Sequence, residues 1–473
     1  MVDGFPQLNW QGLRIHFVAI GGIGMSALAR IAAARGAAVT GCDRVDSPTL
    51  AELRSHGIPC HVGHSSGHLD DVDVVVYSSA VPLDSAELRS AMTRGIRVVS
   101  RGRMLAWLQR GYDTVAVAGT HGKTTTTWII ANVLLRCGAD PTVAVGGNVS
   151  DLGGNWRAGA GRLFVTEADE SDGSFLHLVP TYPVITNIDR DHLDYYSGID
   201  EIEAAFTEFA DPIGDGAVIA CVDCPRVRRV LKRVGGRKVT YGIGSGDVAA
   251  ENLRLQPNRA IYDAVLPTGT VQDVILSLPG RHNVQNSLAA LALAVELDLP
   301  LDDVLEALAD TSPVDRRLQK RGDERGITFY DDYAHHPAEI SATLQTARML
   351  ADRRLVGVFQ PHRYTRTQQL YKEFGAAFDQ LDLLLIAPVY AASEAPIEGV
   401  SSELIAGALR ARGKVPFELL PDLAAVPERL AGELTAGDLV ITLGAGDVWQ
   451  AGDAVLERIR QAKQDPAAEA AGS

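Results

Sequence analysis

Short apolar runs rich in β-branched residues alternate along the chain with longer amphipathic stretches. The apolar run at 15–20 leads through a glycine turn into a helical stretch that ends near Arg35, and the next strand pattern ends at Asp43. Runs of this length are typical of buried parallel strands, and the amphipathic stretches are typical of helices that cover a sheet. The alternation predicts an α/β fold built on parallel sheets.

The order of motifs divides this alternation into three blocks. A chain of 473 residues is too long for one ordinary hydrophobic core. We predict the blocks at 1–109, 110–314 and 315–473, with a small polar tail at 465–473 that is predicted to be disordered.

Composition and charge exclude several classes of protein. The formal net charge of −15 argues against a general nucleic-acid binder, because a phosphate backbone favours a basic surface. No run of 18 apolar residues occurs, and the first residues show neither the charged nor the apolar part of a signal peptide. We therefore expect a soluble, cytoplasmic protein with no membrane insertion.

The five cysteines are sparse and odd in number, which argues against a disulfide framework and favours a reducing compartment. Cys221 and Cys224 form a lone CxxC pattern. No second cysteine or histidine pair follows at ligand spacing, so we interpret the pattern as coincidence rather than as a redox or zinc motif.

A glycine loop between a predicted strand and a predicted helix carries the sharpest chemical signal. Backbone N–H groups of such a loop bind nucleotide phosphates, its lysine reaches the β and γ oxygens, and the hydroxyl after the lysine offers a ligand to magnesium. The strict phosphate-loop pattern has glycine where this chain has Val117, and a glycine turn that binds nothing is the alternative. The loop consists of Gly119, Thr120, His121, Gly122, Lys123, Thr124 and Thr125.

Two acidic segments follow predicted strands in the second block. The first places four carboxylates within 167–172, and the second, at 187–192, ends in His192. Open α/β sheets bind ligands at the carboxyl ends of their strands, and magnesium prefers hard oxygen ligands. Each segment by itself is more often a solvated turn, but the phosphate loop upstream favours magnesium sites.

A second glycine loop lies near the N-terminus, where Gly22 and Gly24 begin a G-x-G-x-x-A pattern and Asp43 ends the next strand. This is a dinucleotide fingerprint in its usual setting, and an NAD-dependent oxidoreductase is one interpretation. The same geometry binds the pyrophosphate of a UDP-sugar, and a merely structural turn is a third possibility. The phosphate loop at Gly119 separates these interpretations, since a simple dehydrogenase has no use for it.

Six motifs occur together in one order along all three blocks, and together they resemble the Mur ligases. Within that family they resemble the branch that adds L-alanine to UDP-N-acetylmuramate. The motifs are GTHGKTTT at 119–126, EADESDGSFL at 167–176, TNIDRDHLD at 186–194, LPGRHNVQN at 278–286, DDYAHHP at 331–337 and FQPHRYTRT at 359–367.

The resemblance implies an α/β fold of three domains. These are an N-terminal Rossmann-like domain for the UDP-sugar, a central P-loop-type ATPase with a mainly parallel sheet, and a C-terminal Rossmann-like domain for the amino acid. It also implies ATP and Mg²⁺, an acyl-phosphate intermediate, and a monomer or homodimer.

The resemblance also implies roles for individual residues. Lys123 is expected to hold the ATP phosphates, and Thr124, Glu167 and His192 are expected to serve magnesium. Lys123, Glu167 and His192 are therefore the candidate catalytic residues. The expected ATP-binding positions outside the loop are Asn283, Asn286, Arg317 and Asp332.

The expected amino-acid-binding residues are Arg363, Arg366 and His335. Paired guanidinium groups suit a carboxylate because they bind it through two hydrogen bonds each. Solvated surface arginines are the plain alternative for the pair. The base that deprotonates the alanine amine stays open among His192, His335 and the departing phosphate.

Departures from the family pattern narrow the resemblance. Later members carry a carbamylated lysine in the region that here reads AAFT at 204–207, and the alanine-adding branch shares its absence. Leu318 stands where the family usually has an aromatic residue after the arginines, which weakens the role given to Arg317. A ligase that recycles a tripeptide onto the same nucleotide sugar is the nearest alternative, and a nucleotide-sensing protein without activity is the remote one.

Overall fold

A computed structural model describes residues 9–193, 195–211, 215–392 and 394–464. The tail at 465–473, predicted to be disordered, lies outside these residues. The fold is α/β with three sheets, as the alternating pattern predicts. No helix within the described ranges is long and apolar enough to cross a membrane.

The first sheet has five strands in the order β3-β2-β1-β4-β5, and all neighbouring strands pair in parallel. Ala19 has a left-handed φ of 65°, so the first strand ends before it and not at Ile20 as predicted. The strands are β1 (Arg14–Val18), β2 (Ala38–Asp43), β3 (Cys60–Val62), β4 (Val74–Tyr77) and β5 (Arg97–Ser100). The helices are α1 (Ile23–Ala34), α2 (Pro48–Ser55), α3 (Ala86–Thr93) and α4 (Arg101–Leu108).

The second sheet has ten strands in the order β15-β14-β13-β12-β11-β10-β6-β9-β7-β8. Its centre is parallel, and β7 pairs antiparallel with β8 at one edge. The strands are β6 (Asp113–Ala118), β7 (Thr142–Val149), β8 (Gly154–Arg157), β9 (Leu163–Glu167), β10 (Tyr182–Ile185), β11 (Ala217–Cys221), β12 (Arg237–Ile243), β13 (Val248–Gln256), β14 (Arg259–Leu266) and β15 (Gly269–Leu276). The helices are α5 (Lys123–Arg136), α6 (Ile199–Ala210), α7 (Pro225–Leu231), α8 (Arg281–Glu296) and α9 (Leu301–Ala309).

The third sheet has six strands in the order β16-β17-β21-β18-β19-β20. Only the β16–β17 pair is antiparallel. The strands are β16 (Gln319–Glu324), β17 (Ile327–Asp332), β18 (Leu355–Phe359), β19 (Leu383–Ile386), β20 (Phe417–Leu419) and β21 (Leu439–Leu443). The helices are α10 (Pro337–Leu350), α11 (Tyr364–Ala377), α12 (Glu403–Arg412), α13 (Val426–Ala431) and α14 (Trp449–Gln464).

The chain forms two compact units. The first contains the chain up to Glu251 together with 264–271 and 285–308, and the second contains 252–263, 272–284 and the chain from Ala309. The first sheet and strands β6 to β12 lie in the first unit, where α1 packs against β7 and β8, whereas β13, β14 and β15 are divided between the two units. The boundaries between 109 and 110 and between 314 and 315 therefore stay predictions.

A buried ion pair holds the start of the second unit's main segment. Asp331 in β17 is fully buried and accepts hydrogen bonds from Arg316 Nε at 2.8 Å and from Thr442 Oγ1 at 2.6 Å. Arg316 also donates to the carbonyl oxygens of Gly444 at 2.7 Å and Gly446 at 3.1 Å. The guanidinium therefore joins β17 to the turn after β21.

We expect Arg316→Met to lower the free energy of unfolding of the second unit by about 3–5 kcal/mol, because it leaves the Asp331 carboxylate buried without a counter-ion. Urea unfolding followed by circular dichroism measures the change. Glu403→Gln is the control, since its ion pair with Arg410 is more than half exposed and should contribute at most about 1 kcal/mol. Equal effects of the two substitutions would contradict a structural role for Arg316.

Candidate functional site

The predicted phosphate loop connects β6 to α5 in the centre of the second sheet. Gly122 precedes the helix with a φ of 82°, and Gly119 has a φ of 141°. A Cβ at Gly119 would collide with Thr186 Oγ1, and one at Gly122 would lie 2.7 Å from Asn286 Oδ1. Both glycines are required by backbone conformation and by space, so this is a built loop and not an ordinary turn.

The segment after β10 forms the second wall of the loop. Asn187 accepts a hydrogen bond from the His121 N–H at 2.9 Å through Oδ1, and its Nδ2 donates to the His121 carbonyl, also at 2.9 Å. Thr186 Oγ1 donates to the same carbonyl at 2.7 Å, and the Thr120 N–H donates to the Asn187 carbonyl at 3.1 Å. From the sequence this segment was expected to bind magnesium and to offer His192 as a candidate base, and its role in fixing the phosphate loop was not predicted.

Lys123 is the first residue of α5, and its ammonium group turns back into the loop. Nζ donates to the Gly119 carbonyl at 2.6 Å and to Glu170 Oε1 at 3.0 Å. Burial lowers the pKa of Lys123, but the carboxylates of Glu170, Asp169 and Glu167 outweigh burial, and the pKa is raised above its ordinary value. The lysine is therefore a fixed cation inside the phosphate loop.

The acidic segment after β9 lies around Lys123 and carries more negative charge than the Lys123 ammonium group neutralises. Burial raises the pKa of Asp169, but Arg101, which binds it at 2.9 Å, and Lys123 together lower it to about 2. Burial and the Asp169 carboxylate raise the pKa of Glu170 above its ordinary value despite Lys123. Glu167 Oε1 accepts the Gly146 N–H at 2.5 Å.

Glu170 shows that these residues fit a further cation. Its Oε2 is buried and forms no hydrogen bond within the described part of the chain. His192, held at a left-handed φ of 53°, places Nε2 3.8 Å from Glu170 Oε1. Carboxylate oxygens, a hydroxyl and an imidazole beside a phosphate loop suit Mg²⁺ and its retained waters.

The structure places the three predicted magnesium residues on neighbouring elements. Glu167 ends β9, Thr124 is the second residue of α5, and His192 follows β10. Strands β9 and β10 flank β6 in parallel, so their carboxyl ends meet at the phosphate loop. Thr125 follows Thr124 within the first turn of the helix, and both are buried.

The N-terminal glycine loop connects β1 to α1. Gly22 occupies the position before the helix, and Asp43 Oδ2 accepts the Gly21 N–H at 2.9 Å. A Cβ at Gly24 would lie 3.4 Å from the Arg101 side chain. Arg101, which the sequence analysis missed, therefore lies between this loop and Asp169. Its position directly after β5 is the only signal that marked it.

The second unit collects the predicted amino-acid-binding residues at the carboxyl edge of its sheet. Arg363 precedes α11 with a φ of 74°, and its Nη1 lies 3.9 Å from Glu394 Oε1. Arg366 is buried and donates to the His362 carbonyl at 3.4 Å. The ring centroids of His335 and His362 are 5.8 Å apart. Glu394, which also binds Thr365, was missed by the sequence analysis.

The remaining predicted ATP-binding residues divide between the units. In the first unit, Asn286 lies on α8 beside Gly122, so it does not cap the helix. In the second unit, Asn283 Nδ2 donates to the Pro279 carbonyl at 2.7 Å. Burial raises the pKa of Asp332 to about 6 although Arg317 opposes the shift, and Arg317 stacks on Tyr333 at 5.2 Å.

Comparison with known proteins agrees with this geometry. Three family models match the chain, described as "Mur ligase family, catalytic domain" at 14–113, "Mur ligase middle domain" at 117–294 and "Mur ligase, glutamate ligase domain" at 316–446. A UDP-N-acetylmuramate–L-alanine ligase of Geobacter sulfurreducens is 45% identical over 455 residues, which cover 95% of this chain and 98% of the relative.

Solved structures give the same result for the fold. The UDP-N-acetylmuramate-alanine ligase of Thermotoga maritima superimposes with a TM-score of 0.81 at 30% identity, covering 95% of this chain and 99% of its own. A murein peptide ligase of Psychrobacter arcticus gives 0.70 at 25% identity with the same coverage. The resemblance and the fold class predicted from the sequence are thereby confirmed.

We expect Gly122→Ala to abolish nucleotide binding. The new Cβ would force Asn286 or the loop to move, and alanine does not readily adopt the left-handed conformation that the residue before α5 requires. The upward shift of Tm on adding ATP measures binding. Gly138→Ala is the matched control, since Gly138 has a φ of 73° and open space around its Cα. The control should keep the ATP-dependent shift of Tm. Loss of the shift in the control would show that backbone strain alone abolishes nucleotide binding.

Proposed function

Because the chain belongs to the Mur ligase family, we propose that it is an ATP-dependent ligase that joins L-alanine to the lactyl carboxylate of UDP-N-acetylmuramate. Relatives named UDP-N-acetylmuramate–L-alanine ligase match 94–95% of the chain at 44–45% identity. The observation that carries the proposal is Lys123, which is held inside a glycine loop by hydrogen bonds and faces an excess of carboxylates. An ordinary dehydrogenase does not need this second phosphate site.

The chemistry explains why ATP is required. A carboxylate is a poor acylating agent, because its leaving group would be oxide. The lactyl carboxylate oxygen attacks the γ-phosphorus, the bond to the β-phosphate oxygen breaks, and ADP leaves with an acyl-phosphate formed. Lys123 neutralises charge on the phosphoryl group as it moves. The alanine amine then attacks the acyl carbon, loses a proton, and inorganic phosphate leaves.

Magnesium fits the acidic segment, and we propose that Thr124, Glu167 and His192 hold it. When bound, the ion neutralises phosphate charge and orients the γ-phosphate for in-line attack. Glu170 contributes differently, because it binds the Lys123 ammonium directly at 3.0 Å. It therefore positions the lysine between turnovers.

We propose that the N-terminal glycine loop binds the UDP-sugar. Gly22 and Gly24 let the pyrophosphate approach the α1 N-terminus, and Asp43 accepts a hydrogen bond from a ribose hydroxyl. In the second unit, Arg363 and Arg366 bind the alanine carboxylate with His335 beside them. Asn283, Arg317 and Asp332 serve ATP from that unit.

A tripeptide-recycling ligase is the second candidate, because it shares the nucleotide sugar and the fold. Similarity to the Thermotoga maritima alanine ligase exceeds that to the Psychrobacter arcticus peptide ligase, with TM-scores of 0.81 and 0.70. This difference favours alanine. A reaction that consumes ATP and a nucleotide sugar fits the predicted cytoplasmic location, and we propose a monomer or homodimer.

Phosphate release tests the proposal with purified protein, ATP, magnesium and UDP-N-acetylmuramate. We expect release that needs L-alanine, and a product heavier than the nucleotide sugar by one alanyl residue. Release only with the cell-wall tripeptide would assign the recycling reaction instead. No release with any amino acid would exclude ligation.

We expect Lys123→Ala to reduce kcat by at least about 100-fold, because one preorganised charge at a reacting group contributes about that much. The fold should persist, as judged by circular dichroism. Lys238→Ala, at an exposed position near the start of β12, is the control and should keep full activity. Substantial turnover by the Lys123 variant would remove the phosphate loop from the mechanism.

We expect Arg366→Lys to raise the KM for L-alanine about 10- to 100-fold, because it keeps the charge but loses the paired hydrogen bonds of the guanidinium. The KM for ATP should stay within about twofold. Arg458→Met, an exposed position on α14, controls for general loss of positive charge. An unchanged KM for alanine would place the carboxylate elsewhere.

A further inference from the structure

A cluster of soft and borderline metal ligands lies inside the first sheet's domain, away from the phosphate loop. It comprises His16 on β1, Cys42 on β2, His68 in the turn after β3 and Glu87 in the first turn of α3. His16, Cys42 and Glu87 are almost fully buried, and His68 is partly buried. The proposed ligase reaction uses none of these four residues.

The four side chains converge on one point. One ligand atom from each lies within 4.8 Å of the ligand atoms of the other three. Glu87 Oε1 is 3.2 Å from His68 Nδ1 and 3.4 Å from His16 Nε2, and Glu87 Oε2 is 3.2 Å from Cys42 Sγ. Ligand atoms around tetrahedral zinc lie about 3.3–3.6 Å apart, from zinc bond lengths of about 2.0–2.3 Å.

His16 supplies an independent observation. Its Nδ1 lies 2.8 Å from Thr40 Oγ1, which fixes the ring and leaves Nε2 as the inward-facing atom. Nε2 is buried and meets the geometry of a hydrogen bond with none of the described residues; the Glu87 Oε1 carboxylate oxygen lies 3.4 Å away, at ion-pair distance if the ring is protonated. A buried nitrogen without a hydrogen bond is costly unless another partner binds it.

We propose that His16, Cys42, His68 and Glu87 form a structural zinc site that ties α3 and the turn after β3 to the sheet. One thiolate, two imidazoles and one carboxylate suit Zn²⁺, which prefers sulfur and nitrogen ligands in a tetrahedron. Four protein ligands leave no open position, so the site is structural and not catalytic. On binding, the Cys42 thiol releases its proton to solvent and the sulfur bonds to the metal.

The surroundings offer a route for the ion. His64 Nδ1 lies 3.2 Å from Cys42 Sγ and 3.1 Å from Glu87 Oε2, and its side chain is 36% exposed. His61 stacks on His68 with ring centroids 4.4 Å apart. Both histidines are exposed, and each contacts a residue of the cluster.

Metal content tests the site with the full chain. Protein is stripped with a chelator, equilibrated with zinc and desalted, and bound zinc is measured by mass spectrometry. We expect about one zinc ion per chain for the natural sequence, and its loss in Cys42→Ser and in His68→Gln. Zinc should raise the Tm of the natural protein and leave the Tm of these variants unchanged.

Matched controls separate this site from other zinc binders. Cys60→Ser and His56→Gln change the same residue types on neighbouring segments outside the cluster and should keep the zinc. His192→Gln should also keep it, which excludes binding at the proposed magnesium site. Cobalt in place of zinc should give an intense sulfur-to-metal absorption band that depends on Cys42.

Two results would overturn the proposal. One is natural protein that retains no zinc, which would leave Glu87 as a carboxylate hydrogen-bonded to Cys42, His64 and His68. The other is equal zinc retention by the natural protein and by His68→Gln, which serves as the decisive variant where Cys42→Ser fails to fold. None of these readouts depends on ligase activity, so the outcome is independent of the proposed function.

Discussion

The contact between Lys123 and Glu170 organises the candidate active site. Glu170 is 2% exposed, and an ion pair this deeply buried stabilises a fold only where further groups offset its desolvation. The loop carbonyls of Gly119 and Thr120 provide such groups on the lysine side. On the carboxylate side, Glu170 Oε2 forms no hydrogen bond with any described residue, and Asp169 adds a second negative charge. The magnesium ion that we propose for this site would offset that excess of negative charge.

This imbalance calls for a phosphate loop whose backbone is held rigidly in place. A site that binds a polyanion next to carboxylates needs donors that are already in place, because reorganising them would weaken binding. Thr186 and Asn187 supply that rigidity by fixing the His121 backbone from the neighbouring strand. The acidic segment and the loop wall thus come from the two strands that flank β6, and the parallel order of the sheet brings them together.

Periodicity and motif order predicted the fold class, the phosphate loop and its acidic neighbours, because those features are local in sequence. The β13–β15 hairpins were not predicted, since their alternating pattern carries no motif. Arg101 and Glu394 were missed because each acts through a partner distant in the chain. The cluster around Glu87 was missed for the same reason: its four ligands lie on separate elements, and a search for a CxxC pattern finds Cys221 and Cys224 instead. Residue spacing along the chain reveals loops, but it does not show which side chains from separate elements meet in space.

Arg101 shows what convergence adds to the chemistry. Its guanidinium lies beside Gly24 of the first glycine loop and donates to Asp169 at 2.9 Å. Asp169 in turn lies in the field of Lys123, so one carboxylate is shared between an arginine at the N-terminal loop and the lysine of the phosphate loop. The pyrophosphate that we propose for Gly22 and Gly24 would compete with Asp169 for the Arg101 guanidinium. Arg101 and Asp169 therefore connect the two glycine loops electrostatically within the first unit.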